Sequence, residues 1–454
     1  MGTMLDRRQF LGTAAASTLA VTAARPSAGA GTAVPTATSS AEVPPPDKQQ
    51  WQQLDNTIRG WWDPDLHSSQ EPAIRADTSG TLLFLPFRYD TPGGTTSSFP
   101  EMYDWDTYFI NRGLLAHGRL DLVRNHICDY LLMAERYGFM PNGNRTYYLT
   151  RSQTPVFPDS VWRYYAASGD LDLLYQAYPL LKAEYEDYWN GPSHQTPTGL
   201  STNRDSGDPS LPPQMAAEAE TGLDWTPIFN GDVRRCTPLI TNCALVRYAQ
   251  ILAAAGKEVG RPAEAARFAA DAATRAELIR RYCWSQQRGL FAEYDYVAGQ
   301  QLPYVSDCAY WPLWAGVATA GQARQLAANL PALQQPWGLA FTDKAYPDPY
   351  PASEVSADNL QWMYPAGWPP MQLITVQALD AYGYQAAASQ VASRFLSLLL
   401  TQYQQTGQLW EKYNVADGSL NLPNARYGVL PLHGWTAATA VLLGRRVFSG
   451  ESLS

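Results

Sequence analysis

At 454 residues, with 45% hydrophobic and 17% charged residues, the chain can bury a large core, and helical barrels and toroids reach this size as one unit. A formal net charge of −9, spread along the chain without a basic stripe, excludes a nucleic-acid surface and favours a neutral partner over an anionic one. Trp (15) and Tyr (27) together outnumber Phe (13) more than threefold, which suits a surface for a flat-faced, hydroxylated molecule such as a sugar; a Tyr-rich helical core satisfies the same count.

The N-terminus reads as an address. "LDRRQFLGTAAASTLAVTAARPSAGA" carries twin arginines, Arg7 and Arg8, then Phe10 and Leu11, a mildly apolar run, and a small-residue exit at Ala28-Gly29-Ala30. This is the form of a twin-arginine export signal over residues 1–30. The run is too short and Ala-rich for a membrane span, and no Cys stands near the cleavage region to take a lipid. The expected mature chain is therefore unanchored, and periplasmic or extracellular. Residues 31–48 read as a disordered linker, which leaves 49–450 as a single domain.

Within that domain "TLLFLPFRYD" (81–90) is the clearest strand candidate. From about residue 105 the dominant period is helical. "NRGLLAHGRLDLVRNHICDYLLMAERYG" spaces Leu114, Leu115, Leu120, Leu122, Ile127, Leu131 and Leu132 helically and ends at Gly138. "PAEAARFAADAATRAELIRRYCW" and "ALDAYGYQAAASQVASRFLSLLLTQYQQ" repeat the style. Long loops rich in Pro, Gly and aromatics separate these runs at 91–105, 139–158, 195–230, 335–370 and 411–435, and long loops in a compact domain carry function. Cys128, Cys236, Cys243, Cys283 and Cys308 are too scattered for a disulfide framework; buried thiols are expected, with Cys236–Cys243 the pair an oxidising compartment offers. His67, His117, His126, His194 and His433 show no metal-ligand spacing, and neither metal nor cofactor is implied.

The loops hold clusters of mixed chemistry. "EMYDWDTYF" (101–109) interleaves Glu101, Asp104 and Asp106 with four rings. "PNGNRTYYLTRSQ" (141–153) is dense in amides and guanidiniums; "EAETGLDWTPIFNGD" (218–232), "NLQWMYPAGWPP" (359–370) and "LWEKYNVADG" (409–418) follow. Hydrolysis of a glycosidic bond needs one protonated and one ionised carboxyl on opposite sides of the bond. Asp224, beside Trp225, suits the acid, because an aromatic wall desolvates a carboxyl; Glu411, followed by Lys412, suits the base. Each pair alone is an ordinary surface coincidence. Arg145 and Arg151 equally suit plain neutralisation of nearby acids, Trp362 and Trp368 a packed loop, and Tyr147 and Tyr148 the core. Five such clusters in the loops of one helical domain favour the functional reading.

With these segments in this order, the chain resembles the trehalase family of inverting glycoside hydrolases. "PGG" followed by "FPEMYDWDTYF" is similar to one family signature and "QWMYPAGWPP" to another; "PNGNRTYYLTRSQTPVF" lies between them, "ETGLDW" resembles the segment of the general acid, and "EKYN" that of the general base. The resemblance spans roughly residues 85–440 and implies an all-α (α/α)6 toroid with a small N-terminal β or irregular segment. It implies Asp224 as acid and Glu411 as base, with Phe99, Tyr103, Trp105, Asp106, Asn142, Arg151, Gln153, Gly222 and Trp362 around the sugar. Arg204 is a further candidate, on a segment shortened before Asp224. The implied partner is a small carbohydrate, handled by a monomer without cofactor. In such a pocket the rings face C–H surfaces while Asp106 accepts hydroxyl hydrogens.

Three departures stand out. Thr95-Thr96-Ser97-Ser98 replace an expected sugar-binding Arg; Met363 replaces an Asp; and Arg426 falls near the place of a substrate-binding Glu. Lost charged contacts shift which sugar fits more than whether hydrolysis occurs. The expected reaction is hydrolysis of α,α-trehalose. The alternatives are another α-glucoside or α-mannoside such as a glycosyl-glycerate, a secreted sugar-binding protein without catalysis, and, last, a structural repeat scaffold.

Overall fold

The computed structural model describes residues 43–96, 98–350, 360–423 and 426–453, so the expected export signal and most of the expected linker lie outside the described residues. Helix α1 (Lys48–Trp61) starts at Asp47, whose carboxylate accepts the Gln50 amide. The first apolar run forms two helices, α2 (Asp104–Ala116) and α3 (Leu120–Tyr137), parted where Gly118 takes φ +74°; α3 ends at Gly138, φ +79°. Next come α4 (Pro158–Ser168), α5 (Leu171–Ala183), α6 (Leu239–Glu258) and α7 (Pro262–Cys283). A single turn, α8 (Trp311–Trp314), precedes α9 (Ala320–Asn329), α10 (Pro369–Ala381), α11 (Gln385–Thr406) and α12 (Gly434–Ser449). Proline opens α4, α7, α8 and α10, where the missing N–H has no helical partner to lose.

The contacts among these helices define the architecture. α2 packs on α4, α4 on α6, α6 on α8, α8 on α10, α10 on α12, and α12 returns to α2, closing a ring. Outside it α3 packs on α2, α5 on α4, α7 on α6, α11 on α10 and α1 on α12. This is the (α/α)6 toroid. Burial follows position: α10 is buried around its whole circumference, whereas α7 buries one stripe through Ala265, Phe268, Ala272, Ala276 and Ile279. α6 is apolar enough to cross a membrane by composition, yet 83% of that stretch is buried between its neighbours.

Loop lengths place the site. Within hairpins the turns are short (117–119, 169–170, 259–261, 315–319, 382–384), so each pair runs antiparallel. The long segments (62–103, 138–157, 184–238, 284–310, 330–368, 407–433) join an outer helix to the next inner one. All inner helices therefore start at the same end, and every chemistry-bearing loop gathers there. Small antiparallel pairings stiffen that end, among them Ala366–Gly367 with Tyr413–Asn414. The strand expected at 81–90 forms only at Arg88–Asp90, against Leu66–Ser68, and Leu82 makes a lone bridge to Arg145. Pro86 stands between them and cannot donate to a ladder. Cys236 and Cys243 are separate, buried thiols.

Two buried carboxyls are held by backbone amides. Glu293 accepts the Leu239 amide (2.8 Å) at the start of α6, and burial pushes it up to about 8. Asp129 accepts the Phe87 amide (3.1 Å) and is pushed up to about 8 by the same cause. The folded state thus holds protons that the unfolded chain releases near its ordinary carboxyl range, and stability falls as pH rises from there towards 8. Glu293→Gln keeps the acceptor and removes the charge. Its Tm should exceed that of the parent by several degrees at pH 8, with the gain vanishing near pH 4, as scanning calorimetry at the two pH values would show.

Candidate active site

The third loop supplies one carboxyl. It leaves the short helix Pro213–Ala219 and turns at Gly222, φ +76°, where a Cβ would sit 2.9 Å from the Trp105 ring. Only glycine meets both demands, so the turn lies against that ring and delivers Asp224. Trp225 anchors the far side: its indole donates to the Met215 carbonyl (3.1 Å), and its own carbonyl accepts the amides of Gln361 and Trp362 (3.1 Å each). Asp224 is half-buried. Behind it Glu218 accepts the Thr226 amide (2.9 Å) and the Tyr350 hydroxyl, and burial pushes Glu218 well above the carboxylate range.

The last loop supplies the other. Glu411 is fully buried; its amide donates to the Leu430 carbonyl (2.9 Å), and its carbonyl accepts the Trp435 indole (3.2 Å). Its Oε1 accepts the Tyr427 hydroxyl (2.8 Å) and its Oε2 the Lys412 ammonium (3.1 Å). Lys412, also fully buried, lies over the rings of Tyr427 (4.1 Å) and Trp368 (4.9 Å). It also donates to Gln361 Oε1 (2.8 Å), while Gln361 Nε2 donates to the Asp224 carbonyl. One amide and one ammonium thus connect the two carboxyl-bearing loops.

Rings line the same region. Trp362 stacks on Trp368 at 3.6 Å and 8°, and Trp105 touches both Trp362 (5.6 Å) and Trp435 (5.8 Å). Phe99 packs edge-on to Tyr103 (6.5 Å) and tilted on Tyr427 (6.2 Å). Asp106 is buried in the first turn of α2, where the helix dipole favours an anion. The second loop is laced to that turn: the Trp105 amide donates to Gln153 Oε1 (3.2 Å), the Asp104 amide to the Asn142 carbonyl (3.3 Å), and Asn142 Nδ2 to the Ser152 carbonyl (3.3 Å). Phe99, Tyr103, Trp105, Asp106, Asn142, Gln153, Gly222 and Trp362 are therefore one cluster of neighbours, in contact with the loops that carry Asp224 and Glu411.

Three arginines of these loops are held by protein partners. Arg151 pairs with Asp205 (2.8 Å) and Asp208 (2.9 Å) and lies over Tyr148 (5.6 Å). Burial works against its charge, but the two carboxylates outweigh that and raise it above its ordinary value. Arg204 donates from Nε to the Ser193 carbonyl (3.1 Å), and its amide donates to Glu220 Oε2 (2.8 Å). Arg145 bridges Asp77 and Glu101, 3.0 Å each.

Sequence reasoning passed over Gln361, Tyr427 and Glu220. Glu220 takes hydrogen bonds from Tyr188, Asn203 Nδ2 (3.1 Å) and the amides of Arg204 and Ser152, and so ties the second and third loops together. Its signal was its place in "ETGLDW"; that of Gln361 was its place before Trp362. Among the departures, the Met363 thioether accepts the Tyr346 amide (3.1 Å), Thr95 donates its amide to Asp65 (2.8 Å), and Arg426 lies on Trp225. Among the described residues no three His, Cys, Asp or Glu side chains gather as metal ligands.

The family model described as Trehalase matches residues 32–221 and 219–444. The chain belongs to the trehalase family. It is 30% identical over 438 residues to the periplasmic trehalase of Citrobacter koseri, covering 87% of this chain and 73% of that one. It is 29% identical over 426 residues to the periplasmic trehalase of Pseudomonas aeruginosa, with 84% and 74% covered. Neutral trehalase Nth1 from Saccharomyces cerevisiae superposes with a TM-score of 0.68 at 25% identity, over 80% of this chain and 76% of that one. A GH63 mannosylglycerate hydrolase from Thermus thermophilus shares the fold, with a TM-score of 0.59 at 15% identity over 87% and 99% of the chains. This trehalase-family chain is a glycoside hydrolase.

Proposed function

We propose that the enzyme hydrolyses α,α-trehalose to two glucose molecules in the periplasm with inversion at one anomeric carbon. Asp224 gives its proton to the bridging oxygen as the bond to the departing glucose breaks. Glu411 takes a proton from a water that attacks the anomeric carbon from the opposite face, and proton exchange with solvent resets both carboxyls. The observation that carries this reading is the Asp224–Gln361–Lys412–Glu411 connection, which ties the two carboxyl-bearing loops together beside the same rings. Lys412 and Tyr427 serve the ionised form of Glu411, as a base requires. Trp362 and Trp105 offer faces to the sugar, and Asp106 offers acceptors for its hydroxyls. The printed names of the relatives supply trehalose and the periplasm. Export by the twin-arginine route, a single catalytic domain over 49–450 and a monomeric state complete the proposal.

Purified mature chain incubated with trehalose should release glucose that a coupled oxidase assay detects. The Met363 and Arg426 departures favour one second reading, an α-glucoside or α-mannoside with a different aglycone. Turnover of glucosyl- or mannosyl-glycerate with none of trehalose would replace the first reading by the second. Saturable trehalose binding with no turnover of any α-glycoside would leave a sugar-binding protein.

A further inference from the structure

We propose that Arg426 is a positioning residue for the reaction: its guanidinium, laid on Trp225 beside Asp224, sets the pH above which the acid stops delivering its proton. This rests on the reading of Asp224 as the acid. The Arg426 guanidinium carbon lies 3.6 Å from the centroid of the Trp225 ring, well inside cation–π range. The platform is fixed, because Trp225 is fully buried and is tied to Met215, Gln361 and Trp362. Asp224 is the residue next to that ring in the chain. Burial pulls Arg426 down to about 10, and the attraction of Asp224 is the leading influence that opposes it, followed by Tyr427 and Tyr350. The next residue, Tyr427, donates to Glu411. A single dipeptide therefore addresses both proposed catalytic carboxyls, through a charge on one side and a hydrogen bond on the other.

Among the described residues, three other groups near Asp224 are engaged elsewhere. Glu218, at the end of the helix Pro213–Ala219, is held by Thr226 and Tyr350, and burial keeps it protonated well above the usual range. Tyr350 is itself pushed well above its ordinary value by burial and by Glu218. Lys412 connects to Asp224 through Gln361 and the backbone carbonyl, and it is engaged with Glu411. Among the described residues, Arg426 is the cation seated on the ring next to Asp224, and that carboxyl attracts it. A cation favours the ionised carboxylate, so the proton needed for catalysis leaves at lower pH than it would beside a neutral group. The alkaline limb of kcat/KM, which reports the free enzyme, is accordingly held on the acid side.

The test is kcat/KM for trehalose against pH in the parent and in Arg426→Lys, Arg426→Met, Arg426→Gln and Glu218→Gln, each first checked for its Tm. Arg426→Met and Arg426→Gln should move the alkaline limb upward by roughly one to three pH units, the effect of one nearby opposite charge. Arg426→Lys should keep it close to the parent position, and Glu218→Gln should leave a limb in place. If both neutral variants lower kcat/KM evenly at every pH with the limb unmoved, Arg426 only packs on Trp225 and the proposal falls. It falls equally if Glu218→Gln abolishes the limb, which would then belong to Glu218. Failure of the underlying reading looks different: Asp224→Asn would keep the parent rate, whatever Arg426 does to the profile.

Discussion

Asp224→Asn should lower kcat on trehalose by about 10²–10⁴-fold, the usual weight of a general acid, while leaving KM within a few-fold of the parent. The asparagine keeps size and shape, and the Asp224 carbonyl that holds Gln361 belongs to the backbone, so the loop should stay in place. The decisive comparison uses α-D-glucosyl fluoride, whose leaving group needs no proton. The variant should hydrolyse the fluoride at a rate near the parent while remaining defective on trehalose. Equal defects on both donors would mean that residue 224 does something other than protonate the leaving oxygen.

Glu411→Gln should cost at least as much, and on both donors. A base that activates water is needed whichever group departs, so the fluoride brings no recovery. The substitution also leaves the buried ammonium of Lys412 without its carboxylate. Removing one partner of a buried pair is destabilising by roughly 3–5 kcal/mol, so the Tm of this variant should fall where that of Asp224→Asn holds. Differential scanning fluorimetry on the two proteins would show the contrast. Lost activity with an unchanged Tm would indicate that the Lys412–Glu411 pair contributes little to the fold.

Much of this molecule is legible in its sequence because the deciding physics is local. Apolar residues at helical spacing mark α3, α7 and α11, and Gly138 ends α3 as its backbone freedom predicts. The chemistry-bearing loops were visible as Pro- and Gly-rich interruptions, and toroid geometry then puts them at one end. What stayed hidden depends on contacts between distant segments. Nothing near Gln361 announces that its amide meets a lysine 51 positions later, or that Asp205 and Asp208 engage Arg151. Nor does the sequence announce that Arg204, expected near the sugar, meets the Ser193 carbonyl through Nε and Glu220 through its amide. Short features misled for a simpler reason: one glycine divides an apolar run into two helices at Gly118, and another does so at Gly383, φ +82°. Periodicity alone carries straight through such points.

The central claim is that two carboxyls on different loops act on opposite faces of one sugar, with a water between glucose and Glu411. That geometry requires a separation of about 6.5–9.5 Å between them and fixes the stereochemistry of the product. Proton NMR of trehalose hydrolysis, recorded before mutarotation, reads it directly. Inversion predicts α-glucose and β-glucose appearing together in equal amounts, one from the leaving group and one from the attacked ring. Early product consisting of α-glucose alone would mean retention, and would contradict the assignment of Asp224 and Glu411 as acid and base.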